Sequence, residues 1–93
     1  MAFSRAKIRL DTSKEVINFV SEINSDGSTI KYVVENEDRS YRVSARSLLG
    51  VLYASAEFGD GIYLVNESND NPFPAFIDKY RPLSENDGDY LHN

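Results

Sequence analysis

The sequence contains no cysteine, which removes disulfides, thiolate nucleophiles and cysteine-based metal sites at once. It has one histidine, His92, next to the last residue. A general base must be held within hydrogen-bond reach of its target, and nothing around His92 would hold it there. Ser-His-Asp, Cys-His and histidine-based metal arrangements therefore all fail. No apolar run approaches the roughly 20 residues of a membrane-spanning helix, and Met1 to Arg5 lacks the apolar core of a signal peptide. A cytoplasmic address with no membrane contact is the expectation. Gly59-Asp60-Gly61 is too short for a phosphate-cradling loop and reads as a turn. The carboxylates are scattered. These absences point away from an enzyme and imply no metal and no cofactor.

What remains is the composition of an ordinary globular domain, 93 residues long with 41% hydrophobic residues. One domain of this size buries a modest core and has little room for a deep active site. The net charge is -5, which argues against direct nucleic-acid binding. Glu85, Asp87 and Asp89 put -3 of it in residues 82–93, so the body is nearly neutral. The expectation is a single domain over residues 1–82 and a flexible acidic tail over 83–93.

Along the chain, Ala6, Ile8 and Leu10 alternate with Arg5, Lys7 and Arg9, the period of a half-buried strand over 4–10. Thr12 with Glu15 three residues on fits a capping box. Val16, Phe19, Val20 and Ile23 then recur at helical spacing, with Ile17 widening the stripe, until Asn24-Ser25-Asp26-Gly27 stops the helix. Residues 29–35 are rich in β-branched and aromatic side chains and predict a strand. Asn36-Glu37-Asp38 predicts a turn and Arg39 to Val43 a second strand of a hairpin, with Tyr32 and Tyr41 able to face each other across it. A short helix ends near Ser55 or Ala56, and Ile62 to Val65 forms a fourth strand. Asn69-Asp70-Asn71-Pro72 predicts the start of a last helix, whose stripe is Phe73, Phe76, Ile77 and Tyr80. The order β-α-β-β-α-β-α predicts an α/β two-layer sandwich, with three helices on one face of a four-stranded, mainly antiparallel sheet and the other face solvated.

The most informative stretch is Arg46-Ser47-Leu48-Leu49-Gly50-Val51-Leu52, where a hydroxyl residue opens a helix that is almost entirely apolar for two turns. Helical spacing cannot bury Leu48, Leu49, Val51 and Leu52 on one narrow face, so part of it is expected at the surface. This stretch is similar to the Lys-Ser-Ile-Met-Gly-Val-Met run of HPr, the phosphocarrier family of the bacterial sugar phosphotransferase system. The chain resembles that family in element order over roughly residues 4 to 81. It departs at the family's phosphate-carrying histidine, which sits in a Gly-Ile-His-Ala-Arg-Pro segment before the first helix. Here that place reads Asp11-Thr12-Ser13-Lys14-Glu15. Thr12 falls approximately at the histidine's position, and a phosphothreonine, being a stable ester, does not inherit the carrier role.

The resemblance implies a non-catalytic, HPr-like protein. A precedent exists in the family member Crh, which lacks the histidine, keeps the serine and co-regulates a transcription factor. By the same resemblance Ser47 is a phosphorylation candidate and Arg46, Leu49 and Leu52 are partner-binding residues. The partner would be a protein, which the sequence does not identify; a transcriptional regulator and an HPr kinase are the candidates that the resemblance suggests. Two readings of Ser47 stand side by side: a phosphate acceptor at the positive end of a helix, or simply an N-cap worth about 1 kcal/mol. The alternative functions are a structural or oligomerising module on the same scaffold, and a phosphocarrier using a substitute residue.

Overall fold

A computed structural model describes residues 4–26, 30–59, 61–67 and 73–82. The elements are β1 (Ser4–Ile8), α1 (Ser13–Ser25), β2 (Tyr32–Asn36), β3 (Arg42–Ser44), α2 (Leu48–Phe58), β4 (Ile62–Asn66) and a final 3₁₀ helix (Ala75–Tyr80). The helix start expected at Asn69–Pro72, the tail expected over 83–93, and His92 lie outside the described residues. The fold is a small α/β arrangement with one four-stranded antiparallel sheet, in the order β1-β4-β2-β3, and three helices.

The register explains how the core forms. Ala6, Leu64, Val34 and Val43 lie abreast in one row across the sheet, and Ile8, Ile62 and Asn36 in another. Side chains alternate along a strand, so these rows share a face. Ile8, Val34, Ile62 and Leu64 join Val16, Phe19, Val20 and Ile23 of α1, Val51 and Ala54 of α2, and Ile77 and Tyr80 of the 3₁₀ helix in one buried cluster. Phe19 and Tyr80 meet edge to face at 5.2 Å. The capping box at α1 is complete: Thr12 Oγ1 accepts from the Glu15 N–H at 3.1 Å, and the Glu15 carboxylate accepts from the Thr12 N–H at 3.3 Å.

Four expectations need correction. The second hairpin strand begins at Arg42 rather than Arg39, because the turn is longer than its polar triplet suggests. Asn36 Nδ2 donates to Ser40 Oγ at 2.9 Å, Asn36 Oδ1 accepts from the Tyr41 N–H at 3.1 Å, and Arg39 sits in the left-handed region with φ 66°. This turn puts Tyr41 beside Asn36, while the Ala45 N–H donates to the Tyr32 carbonyl. Tyr32 and Tyr41 therefore do not face each other. Tyr32 packs instead against Phe73, and Tyr41 against Tyr53 and Phe58.

The last element is a six-residue 3₁₀ helix, not an α-helix. Pro74 has no N–H and biases Phe73 away from helical backbone, and Pro82 stands two residues beyond Tyr80, so only a short run is left between them. Finally, the sheet face away from the core cluster is not a plain solvated row. Val33, Val65 and Glu35 on that face are all buried. Among the described residues, Glu35 is held there by arginine side chains, described below.

Removing the Phe19 ring should leave a cavity beneath both the sheet and Tyr80. Phe19→Ala is expected to cost about 3–5 kcal/mol in urea unfolding, whereas Leu49→Ala, at a site 80% exposed, should stay within about 0.5 kcal/mol.

Candidate functional site: the exposed face of the second helix

Leu48 to Ala56 carries no charged residue, yet only Val51 and Ala54 of α2 are fully buried. Leu49 is 80% exposed, Tyr53 53% and Leu48 39%. Leu52 is partly buried against the core cluster. The helix is held close to β3 on its other side: a Cβ on Gly50 would lie 3.1 Å from Val43 Cβ, and Tyr41 O–H donates to the Gly50 carbonyl at 2.9 Å. Gly59 ends the helix at φ 53°, a conformation that suits glycine. With Gly50 turned to the strand, the helical period of about 100° per residue turns Leu49 outward.

Ser47 is exposed and extended, and its hydroxyl accepts from the Gly50 N–H at 3.3 Å. The first turn of α2 contains no acidic residue, so nothing there repels an added negative charge. Arg46 has a different role from Leu49 and Leu52. Its guanidinium donates to the Ile23 carbonyl at 2.9 Å and the Ile30 carbonyl at 3.2 Å, and lies over the Tyr32 ring at 5.9 Å. Asn24 Nδ2 donates back to the Arg46 carbonyl at 3.4 Å. Arg46 thus fixes the start of α2 to the end of α1. Thr12 is occupied as the cap of α1.

Sequence periodicity missed the contribution of α1. Ile17 belongs to the apolar stripe but is 50% exposed. Ile17 and Asn24 are two turns apart and share a side of the helix, and Asn24 reaches the start of α2. Ile17 is thus a second exposed apolar residue, on the helix that packs against α2. Tyr53 was also missed; its spacing of four from Leu49 was the available signal.

No protein-family model, curated protein or solved structure matches this chain.

A second constellation occupies the far face of the sheet. Glu35 is 1% exposed. Its Oε2 accepts from Arg5 Nε at 2.6 Å and lies 3.3 Å from Arg39 Nε, and its Oε1 accepts from Arg42 Nε at 2.8 Å. Arg42 also pairs with Glu67, which lies 3.7 Å from Lys31 Nζ. Arg5 on β1 must cross β4 to reach Glu35 on β2, and its guanidinium lies 3.8 Å from the centre of the Tyr63 ring. Burial alone would push the Glu35 carboxyl up; the hydrogen bonds and charges of Arg5 and Arg42 outweigh it and hold the group below its ordinary value. Among the described residues no group of three or more His, Asp or Glu side chains is placed to hold a metal ion.

Because its folded-state value is depressed, ionised Glu35 contributes stability that is fully present above the unfolded-state value of about 4.3 and is lost as pH falls through the folded-state value. Glu35→Gln should cost about 1–3 kcal/mol near neutral pH. The gap between wild type and variant in urea midpoints should narrow on acidification to about pH 3. A gap of constant size across that range would show that the charge of Glu35 does not matter.

Proposed function

We propose that this is a non-catalytic, HPr-like protein that acts by protein–protein contact through α2, with phosphorylation at Ser47 as its switch. The observation that carries the reading is the exposure of Leu49, Leu48 and Tyr53 beside an exposed N-cap serine. Burying exposed leucine and tyrosine side chains on a partner returns about 25 cal/mol per Å² of apolar surface, and central aromatic residues often carry much of an interface's energy. Leu49 and Leu52 supply the middle of the surface, Leu48 and Tyr53 its flanks. Arg46 contributes by holding the helix in place.

A phosphate on Ser47 adds a charge of about -1.5 to -2 at the positive end of α2, where it meets N–H groups of the first turn. It would also place that charge next to Leu48 and Leu49, changing which partner surface fits them. The sequence resemblance to HPr over Arg46 to Leu52 supports this reading, and the antiparallel four-stranded sheet with three helices is in keeping with it. Thr12, fully used as a helix cap, gives no support to a phosphocarrier role.

Two experiments test the reading separately. Incubated with an HPr-type serine kinase and ATP, the protein should gain the mass of one phosphate, and Ser47→Ala should abolish the gain. In parallel pull-downs from native extract, a partner retained by wild type should be lost with Leu49→Asp, a variant that leaves urea stability nearly unchanged. Light scattering separates the alternative: a dimer dissolved by Leu49→Asp would assign the surface to a second copy of the chain.

A further inference from the structure

We propose that the partner segment received by α2 carries an arginine, which docks on a group of aromatic rings where the helix ends. The inference rests on the reading of α2 as a contact surface and adds what that surface selects. Leu49, Tyr53 and Glu57 are spaced by four, so they follow one another along one side of the helix. All three are exposed, and the row passes from apolar to aromatic to acidic. Tyr53 also belongs to a trio of rings. Tyr41 lies 5.2 Å from Tyr53 and 5.4 Å from Phe58, and Tyr53 meets Phe58 at 6.3 Å, nearly at a right angle. Tyr41 and Phe58 are each partly exposed. Phe58 in turn lines an open cleft of about 490 Å³ with Asn36, Glu37, Asp38 and Gly61.

The charges beside these rings are negative. Among the described residues no ion pair reaches Glu37, Asp38 or Glu57, and no cation lies over Tyr41, Tyr53 or Phe58. The arginines of the turn and its sheet neighbours do not reverse the sign. Arg5, Arg39 and Arg42 all lie on Glu35, and Arg42 is shared with Glu67. With Glu35 counted beside Glu37, Asp38 and Glu57, the carboxylates still outnumber these guanidiniums. The last turn of α2 contains no basic residue, so nothing within the helix compensates the negative end of its dipole. A ring face attracts a cation through its quadrupole, and a planar guanidinium can stack on a ring while its N–H groups reach carboxylates. The same charges turn away the phosphates of nucleic acid and an anionic lipid surface. Leu49 and Tyr53 are about 6 Å apart along the helix axis. A leucine and an arginine two residues apart in an extended segment span that distance and point the same way.

The test is a proton–nitrogen NMR titration of the full chain with the peptide acetyl-Gly-Leu-Ser-Arg-Gly-amide. Its counterpart with citrulline in place of arginine keeps the shape and lacks the charge. The arginine peptide should shift the amide signals of Tyr41, Tyr53, Glu57 and Phe58, and bind more weakly as salt is added. The citrulline peptide should bind about two- to fivefold more weakly. Glu37→Gln combined with Glu57→Gln should weaken the arginine peptide to a similar degree; it leaves Glu35 and its arginines in place, and urea unfolding checks its folding. Leu49→Ser, which adds no charge, should weaken both peptides. Absence of shifts at these amides, equal binding of the two peptides, or affinity unchanged by the double variant would each overturn the assignment. Equal binding that is lost in Leu49→Ser would overturn it while leaving α2 as a contact surface.

Discussion

The start of the second helix is tied to two other segments by one guanidinium. Arg46 stands before the N-cap of α2 and donates to Ile23 at the end of α1 and to Ile30 on the approach to β2. The last turn of α1 contains no basic residue of its own, so the cation that favours a helix C-terminus comes from a different element. Three segments that hydrophobic burial alone would leave free to slide are thereby fixed in direction. The clamp also explains how α2 can keep Leu49 outside: the helix is held by hydrogen bonds at its start, by the close approach of Gly50 to Val43, and by Val51 and Ala54 in the core. It has no need of its outer side chains for anchorage.

Where structure followed from short-range chemistry, the sequence was readable. Thr12 and Glu15 are three residues apart, and their reciprocal hydrogen bonds are implied by that spacing alone. The stripe of α1 and the alternation of β1 likewise express a single local period. The hairpin was misjudged because the residue that bends it is Arg39, and an arginine gives no sign of adopting a left-handed backbone. Phe73, Phe76, Ile77 and Tyr80 suit an α-helical or a 3₁₀ stripe equally; the prolines decided, and spacing could not weigh them.

The candidate site was legible in part for the same reason. The apolar run after Ser47 is local, and surplus exposure follows from simple geometry. The role of Arg46 was hidden, because its acceptors are carbonyls 23 and 16 residues away. The exposure of Ile17 was hidden too, since periodicity defines a stripe but not which edge a neighbouring helix leaves uncovered. Nothing local marked Glu35 either, because Arg5, its closest partner, lies 30 residues away in sequence.

The two faces of the sheet are built on opposite principles, and the arginine face shows why residue type matters as much as charge. A buried carboxylate is tolerated only if its partners satisfy it in excellent geometry. Arg42 does this while spanning two acids, with Nε on Glu35 and Nη2 on Glu67. Arg5 places Nε on Glu35, donates from Nη2 to the Glu37 carbonyl at 3.1 Å, and sits over the Tyr63 ring. A lysine at either position has a compact ammonium on a flexible stem and could not hold these separated contacts in one plane. Val33 and Val65 are buried on the same face as Glu35. Glu35 therefore fixes where the guanidiniums of Arg5 and Arg42 lie.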